Sequence, residues 1–190
     1  MEWAFDGGRP CLDLVNTLRS RYADGVELLT GPDALAEWLS LAGFTAGPVP
    51  VTAGNVLAAK ALREAIDRVL LPPEEPAKMD VDLVNNAAAA APAPSPRLVL
   101  TDGVLRREIP APKDPVAAAF AVLAADAIDL ATSDAEVRIC AADDCGMRFC
   151  DASPRRNRQW CSMARCGNRA KARAHYARTI GREPRPGEAR

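Results

Sequence analysis

Cys140, Cys145, Cys161 and Cys166 form two C-x4-C pairs in the last third of the chain, and four thiols at that spacing constrain the fold more than any other feature. Zinc suits a thiolate-only set: it is borderline-soft, takes four ligands in a tetrahedron and binds sulfur at about 2.3 Å with no position left open. One structural Zn2+ is therefore expected. Around the first pair, Val137 to Ile139 read as a strand entering Cys140, Asp143, Asp144 and Gly146 supply turn chemistry, and Met147 to Phe149 read as the returning strand. Around the second, Trp160 precedes Cys161, Ser162 is placed to cap a helix, and Cys166 falls in the first turns of a helix running to about Thr179. A knuckle on a hairpin that shares its metal with a helix start is a treble-clef-like finger.

Cys150 lies five residues beyond Cys145 and is the competing ligand. Five extended residues at about 3.3 Å each carry its sulfur roughly 16 Å from the knuckle, too far to share the metal, so a spare thiol is expected there. An even count of six cysteines also fits an oxidised framework in an exported protein. The opening MEWAFDGGRPCLDL has no basic segment followed by an apolar one, so export is not expected. A reducing cytoplasm with free thiolates is.

The formal net charge of -1 conceals two opposite excesses. From Arg148 onward twelve basic residues face three acidic ones, a balance near +9, and the remaining twelve basic and twenty-two acidic residues leave 1–147 near -10. The first part should repel nucleic acid and the second attract it, because every neutralised phosphate releases counterions. Eleven of the twelve are arginine, whose planar fork matches phosphate and the guanine edge. Arg165, Arg169 and Arg173 recur at i, i+4, i+8 on one helical face, while Arg155, Arg156 and Arg158 cluster between the cysteine pairs. With Lys171 and Arg178 these are the expected nucleic-acid contacts. The competing reading is that the charges solvate a small finger or balance the negative charge of a zinc tetrathiolate.

A chain of 190 residues, 48 % hydrophobic, can bury one good core, expected within residues 1–135, and carry a small satellite. Helices are predicted from Pro32 to about Ala42, from Thr52 to Leu71, from about Asp80 to Ala91 and from about Asp114 to Ala131. In the second, Ala59, Leu62, Ile66 and Val69 form the buried stripe, with Lys60–Glu64 and Arg63–Asp67 as i, i+4 ion pairs on the other side and Pro72 and Pro73 as the stop. In the last, Val116, Phe120, Leu123, Ala127 and Leu130 form the core face. Pro92, Pro94 and Pro96 mark a loop, and Asp102-Gly103 between Arg97–Thr101 and Val104–Ile109 is a hairpin signal. No run of 18 apolar residues is present, so no membrane span is expected. The predicted fold is α+β: a mainly helical N-terminal domain with a small antiparallel hairpin, then the four-cysteine zinc finger.

Asp13 and Asn16 fall among Leu12, Leu14, Val15 and Leu18, so two polar groups lie on or near a buried helical face. They are either a satisfied structural network or the wall of a small-ligand pocket under the Phe5–Arg9 loop. An enzyme is not expected: the lone histidine, His175, is in the arginine-rich helix, and no nucleotide-binding glycine motif occurs.

The run Cys161-Ser-Met-Ala-Arg-Cys166-Gly167-Asn168-Arg169, with Cys140, Cys145 and the segment Arg148-Phe-Cys-Asp-Ala-Ser153, resembles the CGNR zinc finger of bacterial proteins, its Cys-Gly-Asn-Arg tetrapeptide unaltered. Phe5-Asp-Gly-Gly and Leu12-Asp-Leu-Val-Asn-Thr17 resemble the start of the ABATE domain that commonly precedes that finger. The resemblance implies a stress-induced transcription regulator, with ligand sensing in residues 1–135, DNA binding by a finger at 136–182 and a disordered basic tail at 183–190. Two other roles fit the same residues: an adaptor whose finger grips an acidic protein partner of the transcription machinery, and a sensor whose zinc is lost when thiols oxidise.

Overall fold

The computed structural model describes residues 3–22, 24–47, 49–72, 75–91 and 95–180. Pro73, Pro92, Pro94 and the tail at 183–190 lie outside the described residues. In sequence, the tail's two arginines are matched by two glutamates, so the basic excess resides upstream of it.

Proline at the first helical position starts α1, Pro10–Val15, and Asn16 closes it. A two-residue ladder follows, β1 Leu18–Arg19 against β2 Val26–Glu27. Pro32 opens α2, Pro32–Leu41. The long helix α3, Ala53–Leu70, begins at a capping box in which Thr52 and Asn55 satisfy each other's backbone amides. Next come α4, Lys78–Ala89, the hairpin of β3, Arg97–Thr101, and β4, Val104–Glu108, and α5, Pro115–Ala131, capped by the Asp114 carboxylate. Helices α3, α4 and α5 pack on one another, α1 lies across α3 and α5, and α2 lies on α3. Leu12, Leu14, Leu35, Trp38, Leu62, Ile66, Leu123 and Ala127 fill the core between them. Among the described residues, no helix is long and apolar enough to cross a membrane.

The polar side of α3 differs from expectation. Lys60 reaches Glu27 and Asp67 receives Arg148, rather than their own i, i+4 neighbours. Arg63 is only 3 % exposed: its guanidinium binds both Glu27 oxygens, Glu64 and the Thr17 hydroxyl. The physical reason is tertiary. The β1–β2 ladder and the finger cover the helix face that the sequence pattern assigns to water, so those charges find partners across the interface instead.

The finger begins at β5, Glu136–Ile139, which pairs antiparallel with β6, Arg148–Asp151, in the register Val137↔Cys150 and Arg138↔Phe149. A single π-turn, Met163–Gly167, then leads into α6, Asn168–Ile180. The finger is built into the helical domain rather than tethered to it. The Asn16 amide donates to the Arg148 carbonyl and accepts from the Arg148 amide, both at 2.8 Å, with every atom buried. The Arg148 guanidinium binds both Asp67 oxygens and the Gly146 carbonyl and lies 5.2 Å from the Tyr22 ring. The Cys150 amide donates to the Gly7 carbonyl at 2.8 Å. Gly7 itself permits no side chain, because an added Cβ would stand 2.8 Å from the Leu12 Cβ.

Truncating Asn16 leaves a buried amide and carbonyl of β6 unpaired. Asn16→Ala should therefore cost about 2–4 kcal/mol in urea unfolding of the zinc-loaded chain. A loss below ~1 kcal/mol would show that water replaces the side chain there.

Candidate metal centre

The backbone brings the two cysteine pairs together through short local bonds. The Cys140 amide donates to the Met147 carbonyl and the Cys145 amide to the Ala142 carbonyl, which closes the knuckle. Ser162 caps the following turn through its hydroxyl, and its carbonyl accepts from both Cys166 and Gly167, the latter being the π-type bond. Together these place the four sulfurs within 4.8 Å of one another. Cys145 and Cys161 are 3.8 Å apart and Cys161 and Cys166 3.7 Å. A tetrahedron with about 2.3 Å metal–sulfur bonds has edges of about 3.8 Å, whereas a disulfide needs about 2.05 Å. All six cysteines are free thiols, and each of the four is at most 9 % exposed, backed by Met147, Phe149 and Ala4. The donor set therefore fits one structural zinc ion, which supplies a closed four-coordinate node.

Cys150 stands apart from the quartet for a simpler reason than reach. Successive residues of β6 point to opposite sides. Phe149 packs into the metal cluster, while Cys150 packs against the main core. Among the four thiols, hydrogen bonding from Cys161 pulls the Cys145 thiol down, while the same contact and burial push Cys161 up. Zinc binding removes the remaining thiol protons, so affinity falls in acid.

The basic residues expected to contact nucleic acid fall into three groups, with Arg178 apart from them. Arg158 and Arg156 brace the finger: Arg158 lies 4.9 Å from the Phe149 ring and donates to the Cys161 carbonyl at 2.6 Å, and Arg156 donates to the Asp134 carbonyl. Arg165, Arg169 and Arg173 do share one face, and it carries ion pairs to Asp6 at 3.1 Å and, for the last two, to the two oxygens of Asp144 at 2.9 Å each. Arg169 also lies 3.6 Å from the Cys166 sulfur. Arg173 and Arg169 hold the Asp144 carboxyl below its ordinary range. Arg155 and Lys171 are exposed and make no ion pair among the described residues. The side chain of Arg178 lies outside the described residues.

Two acidic residues organise the finger: Asp144, read from the sequence as a turn residue, and Asp151, to which the sequence reading gave no role. Asp144 ties α6 to the knuckle. Asp151, 1 % exposed, accepts from the Ser153 and Arg158 amides and faces Arg138, so the loop between the cysteine pairs folds around it. Burial opposes the Asp151 charge, but these hydrogen bonds prevail and hold its carboxyl down at about 2. The Asp-x-Ser spacing at 151–153 is the sequence signal for such a turn.

Asn16 is engaged at the β6 junction, and the Asp13 carboxylate accepts from the Gly7 amide at 2.9 Å. Burial pushes the Asp13 carboxyl up, the Gly7 amide resists, and the charges of Asp6 and Asp126 add to the rise, to about 6.

Substituting any one of Cys140, Cys145, Cys161 or Cys166 by serine should abolish stoichiometric zinc in metal analysis, whereas Cys150→Ser should keep one ion per chain. Because the Asp13 carboxyl is raised in the folded state, its ionisation opposes folding; the penalty is absent below the unfolded value, near pH 4, and complete above about pH 6–7. Asp13→Asn should thus stabilise the zinc-loaded chain by roughly 1–3 kcal/mol at pH 8, the gain shrinking toward pH 5.

A family model described as a putative stress-induced transcription regulator, ABATE, matches residues 8–134, and the CGNR zinc finger model matches residues 136–179. No curated protein matches the chain. The two matches meet between α5 and β5, where the core helices end and the metal hairpin begins. With its helical part matched from α1 through α5 and its four cysteines gathered into one tetrahedral site, the chain belongs to the ABATE family and ends in a CGNR zinc finger.

Proposed function

We propose that this protein is a cytoplasmic transcription regulator, not an enzyme, that binds DNA through the zinc finger while the ABATE domain senses a signal. The observation that carries the reading is the segregation of charge: about +9 from Arg148 onward, the part that holds the returning strand, the second cysteine pair and α6, against -10 on residues 1–147. Phosphate binding is the use of such a surface that needs no further cofactor, since each contact releases counterions from the duplex. Exposed Arg155 and Lys171 are the first contacts, and Arg169 and Arg173, half exposed, can exchange Asp144 for phosphate. Zinc acts as a scaffold: four sulfurs leave it no open position for a substrate, and His175 is exposed on α6 rather than set in a cleft.

Fluorescence anisotropy with the full zinc-loaded chain and mixed-sequence duplex tests this. Affinity should fall steeply with salt, and Arg155→Glu combined with Lys171→Glu should weaken binding at least about tenfold and flatten the salt slope by about two phosphates. No binding at about 50 mM salt, or an undiminished double variant, would overturn the proposal.

A further inference from the structure

The β3–β4 hairpin is the one apolar element in the described structure that is not folded into either core. Leu98, Leu100 and Leu105 are 74 %, 67 % and 66 % exposed, and Val104 and Ile109 each 55 %. Asp102 and Gly103 both have positive φ, 52° and 77°, which gives the tight two-residue turn and fixes the register Thr101↔Val104, Leu100↔Leu105, Val99↔Arg106, Leu98↔Arg107. A two-stranded ribbon with water on both faces is marginal; three or more strands are needed for independent stability.

The two edges of the ribbon differ. A two-residue loop closes on a hydrogen-bonded pair, so Thr101, Val99 and Arg97 turn their backbone groups toward β4, while Leu98 and Leu100 turn theirs outward. Among the described residues nothing bonds to those outward groups. The outer edge of β4 belongs to Leu105 and Arg107, with Arg106 between them. Symmetric pairing there would set Arg106 directly against Arg106 of a second copy, which is the like-charge protection that edge strands use. The outer edge of β3 has no such protection, since Leu98, Val99 and Leu100 carry no charge.

We propose that β3 is the pairing edge of a homodimer, in which two copies of the chain join β3 to β3 antiparallel, about a two-fold axis at Val99, into one continuous four-stranded sheet. In that register Leu98 exchanges both backbone hydrogen bonds with Leu100 of the second copy, and the two-fold repeats the exchange. Val99 meets Val99 of the second copy, and Arg97 meets Thr101 of the second copy, so no like charges oppose. Leu98, Leu100 and Leu105 of both copies then form a single leucine face, each flank shielded by the neighbour across the new seam. A second copy is the occupant that fits, because the edge is complementary to itself in both hydrogen-bond phase and side-chain character. The inference is independent of DNA binding.

Sedimentation equilibrium of the full zinc-loaded chain decides it. At about 100 μM, where self-association with a Kd near ~10 μM already predominates, the wild type should be a dimer. Leu98→Lys with Leu100→Lys places like charges in each exchanged pair and should give a monomer with unchanged zinc content and circular dichroism. Leu98→Glu with Leu100→Lys places opposite charges there and should restore the dimer. A monomeric wild type, a higher oligomer, or a lysine double variant that remains dimeric would each overturn the proposal.

Discussion

The structure depends on one buried guanidinium. Arg148 stands at the first position of β6, held through its backbone by Asn16 of α1 and through its side chain by Asp67 of α3. Desolvating an arginine is costly unless every donor is met, and here a bidentate carboxylate, a carbonyl and an aromatic face meet it. The same residue thereby joins three elements that are far apart in sequence. Removing a partner from such a site leaves an uncompensated charge, so the junction is strong as a whole and intolerant in its parts.

Charge in the finger serves the fold before it serves any ligand. Asp144 gathers Arg169 and Arg173, Asp6 takes Arg165, and Asp151 organises the loop that carries Arg156 and Arg158. A strongly basic segment can remain compact beside a negative metal–sulfur centre because a few acids are placed where the arginines converge. The pairs to Asp144 are only half buried and so contribute little individually. They are therefore broken at small cost, while the buried ones are not.

Much of this was legible in the sequence. The cysteine spacing gave the ligand set, Thr52 and Asp114 marked helix starts, and Asp102-Gly103 marked the hairpin turn. Those features are local, and local spacing fixes them. What remained hidden was tertiary. Arg63 and Asp67 carry the periodicity of a solvated face, and nothing in α3 itself reveals that β6 and the β1–β2 ladder cover it. Likewise Arg165, Arg169 and Arg173 lie on one face as the spacing requires, but the acids that meet them come from other parts of the chain. Asp13 and Asn16 were identifiable as polar groups on or near a buried face, yet their partners, Gly7 and the backbone of Arg148, could be known only from the fold.

Strand β6 is a wall common to two rooms. Its alternation sends Phe149 into the metal cluster and Cys150 into the helical core, while Asn16 grips the backbone between the knuckle and those side chains. A substitution on either face of β6 therefore acts on a strand that the other side also packs against. The sulfur site and the helical core share one four-residue strand, with nothing between them but its backbone.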